Sequence, residues 1–134
     1  MNETIRNYAS LAGRLLLVAI FVMSVFGKIT NPQGTQQYMA AMGMPMTGFF
    51  LVCAILFESA GTASLLIGYR TRLGTLLLII FMIPTTLIFH TNFSDRVQVI
   101  MFMKNLSMIG GLLTVLAFGP GGFSLDARRE TSGS

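Results

Sequence analysis

A carboxylate near the middle of a long apolar run is the feature that most limits what this chain can fold into. The run extends from Phe49 to Tyr69, FFLVCAILFESAGTASLLIGY, and its charged residue is Glu58. A helix rises about 1.5 Å per residue, so about 20 residues cross a hydrocarbon core. Thr47 to Gly68 is long enough for one span, and Glu58 then lies about 15 Å from either end. An ionised carboxylate at that depth costs at least roughly 2.5 kcal/mol. Glu58 must therefore carry a proton or meet a cation inside a bundle. Ala54, Gly61, Thr62 and Gly68 share its face at helical spacing. Small faces let helices approach closely, so this one is expected to point at other helices and not at lipid.

The rest of the chain fits a membrane setting. Of 134 residues, 53% are hydrophobic and 10% charged, where a soluble domain has about a quarter charged. The length allows one domain. Net charge is +4, but the basic residues flank apolar segments instead of forming a run. That is a topology signal and not a nucleic-acid footprint. Cys53 is the one cysteine, which excludes an intramolecular disulfide. Gly27-Lys28-Ile29 follows the first apolar segment without a small-x-small cleavage site, so that segment is expected to stay as a helix.

Four spans are expected. The first is Ala9 to Ile29, with Arg14 inside it or snorkelling to its end. Arg14 and Lys28 return to nearly the same helix face, about 21 Å apart along the axis. Thr30 to Met46 is a loop, broken by Asn31-Pro32, Gly34, Gly43 and Pro45, with a short helix over Thr35 to Met42. After the Glu58 span, the basic turn Arg70-Thr-Arg72 forces a hairpin into the third span, Leu73 to Phe89, where Pro84 is expected to kink it. The fourth span, Val97 to Phe118, holds Lys104 and Asn105 in its first turns and ends at Gly119-Pro-Gly-Gly. Residues 1–126 thus read as a single four-span domain and 127–134 as a polar tail. The fold class is all-α, an antiparallel four-helix membrane bundle. Arg6, Arg70, Arg72, Arg128 and Arg129 gather on one side, which the positive-inside rule places in the cytoplasm together with both termini.

The polar groups suggest one interior seam. In a structural reading, Glu58 pairs with a cation and the pair fixes helix register. In a functional reading, the seam is a pocket for a ligand or proton. Glu58 would then exchange protons, His90 would relay them, and Lys104 with Asn105 would donate to a ligand carbonyl. Arg14 and Lys28 would balance charge beside the same ligand. His90 at a helix end also reads as an interfacial cap, and Cys53 as packing. Met39, Met42, Met44 and Met46 cluster at the first loop; thioethers suit Cu(I), but ten methionines in the chain favour gap-filling, and no metal site is assigned. One histidine and one cysteine exclude bis-histidine haem and a Cys-ligated iron–sulfur cluster. No nucleotide-binding glycine motif is present.

The order of these motifs resembles the DoxX family of small four-helix bacterial membrane proteins. The carriers are Arg14, Phe26-Gly27-Lys28-Ile29, Glu58, Gly68-Tyr-Arg-Thr-Arg72, His90 with Phe93, Phe102-Met-Lys-Asn105, Gly119-Pro-Gly121 and Ser124-Leu-Asp126. Gly34-Thr-Gln-Gln-Tyr-Met39 and the Met-Gly-Met-Pro run are most similar to the DoxX-like inner-membrane proteins of enteric bacteria. The family name comes from a subunit of thiosulfate:quinone oxidoreductase. The resemblance therefore implies a multi-pass inner-membrane protein with a quinone-linked redox role, working with a membrane or soluble redox partner or as a homo-oligomer. The alternative is a non-catalytic membrane subunit or assembly factor that docks partner helices through small faces on spans two and four.

Overall fold

A computed structural model describes residues 1–133, and Ser134, the last residue of the expected tail, lies outside the described residues. Six helices follow one another: α1 (Glu3–Thr30), α2 (Pro32–Ala41), α3 (Thr47–Ile67), α4 (Thr71–Phe89), α5 (Arg96–Phe118) and α6 (Leu125–Ser132). Helices α1, α3, α4 and α5 are each long and apolar enough to cross a membrane. No strand occurs among the described residues.

Local chemistry sets the boundaries. The Asn2 side chain accepts from the Thr4 amide and starts α1 well before Ala9. Asn31 ends α1 and caps α2 by accepting from the Gly34 amide, with Pro32 in the first turn. The short helix of the first loop therefore begins earlier than Thr35. Asp95 caps α5 through the Val97 amide, and Ser124 caps α6 through that of Ala127. Pro84 sits inside α4 without ending it. In the following turn the Thr85 and Thr86 hydroxyls donate to the carbonyls of Phe81 and Met82, so both polar groups are satisfied within the helix.

The core joins all four long helices. It contains Val18 and Phe21 of α1, Leu65 of α3, Leu78, Ile79 and Met82 of α4, and Leu112 of α5. The close approach of α3 and α4 depends on glycine: a Cβ on Gly61 would lie 2.5 Å from Leu78 Cγ and 2.8 Å from the Gly74 carbonyl oxygen. The small face expected around Glu58 thus packs against a neighbouring helix. Leu16, Phe26, Leu56, Leu87 and Phe118 are exposed on the outside, where a membrane supplies apolar contact.

The stretch read as a polar tail carries α6, and it is fastened down. Asp126 accepts from the amides of Arg70 at 2.8 Å and Thr71 at 2.9 Å, and its own amide donates to the Gly68 carbonyl at 2.8 Å. Partial burial alone would raise the Asp126 carboxyl. Hydrogen bonds from Thr71 and Arg70 and the nearby Arg129 charge outweigh it and hold the group below its ordinary value of 3.8.

Two outcomes are expected. Gly61→Val should lower stability in detergent by about 1–3 kcal/mol or more, whereas Gly110→Val, where a Cβ meets nothing within 4 Å, should leave the thermal midpoint unchanged. Because the folded Asp126 titrates below the unfolded group, its contribution is complete above pH 3.8 and is lost as pH falls through the folded value. A spin label on α6 should accordingly become mobile only in that acid range, and Asp126→Asn should remove this pH dependence.

Candidate functional site

Glu58 is fully buried in α3, and its Oε2 meets the ammonium of Lys28 at 2.9 Å. Lys28 comes from the last turn of α1. One turn earlier on that helix, Ser24 offers its hydroxyl oxygen, and the same ammonium donates to it. The ammonium also lies 5.3 Å from the centre of the Phe81 ring, a cation–π contact that helps a charge leave water. An ammonium has three donors, and two of them go to Ser24 and Glu58. Glu58 Oε1 has no hydrogen-bond partner among the described residues. The Lys28 side chain is 18% exposed and that of Glu58 1%. The cation is therefore the part of the pair that faces open space, and the acid stands behind it.

That open space is a cavity of about 1000 Å3 lined by all five helices from α1 to α5. Its wall is mostly apolar, with Lys28, Glu58, Thr35, Thr85, His90 and Asn105 among the polar members. Tyr38 of α2 stacks on Phe89 of α4 with ring centres 5.2 Å apart, so the short helix forms part of the wall. His90 ends α4, as expected of an interfacial cap, and also lines the cavity; its Nδ1 is 2.9 Å from Gln98 Oε1. Asn105 is buried and its Nδ2 donates to the Thr86 hydroxyl at 3.0 Å.

The expected constellation is thus partly assembled. Lys28, Glu58, His90 and Asn105 share the cavity. Lys104 does not: it is exposed on the outer surface of α5. Successive helix residues are turned by about 100°, so directing Asn105 inward directs Lys104 away. Arg14 is also elsewhere. It is buried, 1% exposed, and its guanidinium donates to the carbonyls of Leu65, at 2.9 Å, and Phe123. It shares a helix face with Lys28 but sits about four turns away, where it ties α1 to the end of α3 and to the segment before α6.

Sequence reasoning missed Ser24, Phe81 and the extent of methionine in the wall. Ser24 precedes Lys28 by one helical turn, a spacing at which side chains meet. Phe81 carried no such local signal, because α4 brings it across from another span. Met23, Met39, Met42, Met44, Met82 and Met108 all line the cavity, as does the half-buried Cys53.

Apolar helices gathered round a buried lysine–glutamate pair define an integral membrane protein, not a soluble bundle. The chain belongs to the DoxX family, whose model matches residues 9–91. It is 44% identical over 124 residues to inner membrane protein YqjF of Escherichia coli (strain K12), covering 92% of this chain and 94% of YqjF. Inner membrane protein YphA of the same organism is 33% identical over 123 residues, 88% of each chain. The yeast ER-derived vesicles protein ERV29 (Saccharomyces cerevisiae) is 29% identical over 134 residues, which is 96% of this chain but 36% of that protein. No solved structure matches. With its four apolar helices, the chain is a multi-pass inner-membrane protein. The family match includes Lys28, Glu58 and His90 and ends before Lys104 and Asn105.

The pair makes a thermodynamic prediction. Lys28→Met strands a buried acid and should cost about 3–5 kcal/mol, while adding Glu58→Leu to it should recover much of the loss. Unfolding of the wild type, both single variants and the double variant in detergent measures the coupling.

Proposed function

We propose that the chain is a quinone-linked inner-membrane protein whose Lys28–Glu58 pair meets the polar head of a quinone-like ligand in the cavity. One observation carries this reading. A lysine ammonium, held by Ser24 and Glu58, stands on the wall of a largely apolar cavity of about 1000 Å3 among membrane-spanning helices. Ligand sites of this kind combine apolar walls with a few fixed polar groups. The residues present fit a quinone: Lys28 has a donor to spare for a carbonyl oxygen, and Glu58 Oε1 is a buried acceptor with no partner of its own.

A bound quinone supplies the redox chemistry, two electrons and two protons per molecule, with the electrons coming from a membrane or soluble partner. The protein's part is to hold the ring and manage protons. Lys28 would donate a hydrogen bond to the ring oxygen, and Ser24 with Glu58 would hold its ammonium in place for that contact. His90, hydrogen-bonded to Gln98 at the end of α4, passes protons between the cavity and the surface. Asn105 shapes the inner wall while fixed by Thr86. Arg14 and Lys104 take no part in this scheme.

The same proposal sets the topology. The four spans run antiparallel, with both termini and the arginines at positions 6, 70, 72, 128 and 129 in the cytoplasm. The contacts of Arg14 in the middle of α1 with the end of α3, and of Lys28 near the end of α1 with the middle of α3, support that arrangement.

A second reading has its own observation. Lys104, Ser107, Gly110 and Thr114 lie exposed along α5, and Lys104 makes no salt bridge among the described residues. Such a strip suits a non-catalytic subunit that docks a partner helix or a second copy.

Quinone extracted from the purified chain separates the two. Wild type and Lys104→Met should carry quinone, and Lys28→Met and Glu58→Gln should lose it at equal expression. If all four retain it equally, or none carries it, the cavity reading fails. A stoichiometric partner released by Lys104→Met would favour the docking reading instead.

A further inference from the structure

The cavity makes no use of two motifs, Gly68-Tyr-Arg-Thr-Arg72 and Ser124-Leu-Asp126. They meet beyond the C-terminal end of α3. Arg14 reaches Leu65 and Phe123 there, and Asp126 binds the amides of Arg70 and Thr71. Arg70 has a φ of 46°, in the left-handed region that bulky residues rarely adopt. The Asp126 carboxylate holds its amide and so fixes which way the side chain leaves the turn.

The result is a cluster of cations on one ring. The Arg70 guanidinium lies 5.8 Å and that of Arg129 5.3 Å from the centre of Tyr69. Arg128 and Arg129 line a groove of about 560 Å3 together with Tyr69 and Leu125. None of these three arginines forms a salt bridge among the described residues. The acid beside them, Asp126, gives its oxygens to backbone amides and sets one negative charge near Arg129, which the three cations outnumber. Like charges gathered this way, on elements fastened to each other, leave a positive potential that an external anion neutralises. Guanidinium groups match a phosphate better than ammonium groups do, because their donors are planar and paired.

Position decides which anion. The cluster sits at the turn between two membrane-spanning helices, with Phe118, Phe123 and Leu125 exposed close by in sequence. Apolar and aromatic side chains beside arginines at the end of a span belong at headgroup level. We propose that Arg70, Arg128 and Arg129, arranged around Tyr69, bind the phosphate of an anionic phospholipid headgroup.

Native mass spectrometry of the full chain in detergent tests this, with phosphatidylglycerol and phosphatidylcholine as probes. Wild type should retain phosphatidylglycerol in preference to phosphatidylcholine. Arg70→Gln/Arg129→Gln, and independently Arg128→Gln/Arg129→Gln, should weaken that retention by about tenfold or more. Arg6→Gln, which removes a cation already paired with Glu3, should change it by less than about twofold. Circular dichroism should show all variants equally helical. Equal retention of the two lipids by wild type overturns the proposal, as does wild-type retention by both double variants. Displacement of phosphatidylglycerol by an equal concentration of inorganic phosphate also overturns it, since the site would then be for free phosphate.

Discussion

The contact between Lys28 and Glu58 organises this molecule because both charges have left water. At the surface such a pair contributes little, since solvent screens it and side-chain entropy opposes it. Inside the bundle each partner makes the other tolerable, and neither can be removed alone without stranding a charge. Much of the surrounding structure serves that arrangement. Ser24 and Phe81 stabilise the ammonium, and the Gly61–Gly74 approach brings α4 close enough for Phe81 to reach it. The cavity takes its chemical character from the asymmetry of the pair, with the cation partly open and the acid enclosed.

The C-terminal end of α3 is built on a different principle. There a buried arginine, with no carboxylate within salt-bridge reach among the described residues, gives two of its nitrogens to backbone carbonyls, while an aspartate gives its oxygens to backbone amides. Here charged side chains stitch chain ends together through backbone groups, with no direct ion pair between them among the described residues. This leaves the exposed arginines around Tyr69 without a salt bridge among the described residues. One bundle thus separates an interior polar centre from a positively charged rim.

Much of the fold could be read in the sequence because membrane crossing is a one-dimensional constraint. Apolar length and breakers located all four long helices, and they placed α3 and α5 within a residue of their observed ends. Capping was read less well: Asn2 and Asn31 are ordinary polar residues until their side chains are seen accepting from amides, and α1 and α2 start earlier for that reason. That Glu58 needs either a proton or a cation was legible from depth alone, and the structure supplies the cation, Lys28. Which cation answered was not, since Arg14, Lys28 and Lys104 all lay within plausible reach and only helix rotation and axial offset choose among them. The residues that line the cavity from α2 and α4 come together through tertiary packing, to which no local pattern corresponds.

Helix α3 is bracketed by two residues in the left-handed conformation at its start and its end, Met46 and Arg70, with Gly68 closing the last turn. Both brackets adjoin an anchor: next to Met46 the Thr47 hydroxyl donates to Gln36 of the short helix, and the Arg70 amide donates to the aspartate of α6. The number of residues between them is consequently as constrained as their identity. Side chains along the lipid-facing surface can be exchanged freely, whereas gaining or losing a single residue before Glu58 turns the acid by about 100° and parts it from its lysine. Descendants of such a chain are free to drift in composition while their spacing stays put.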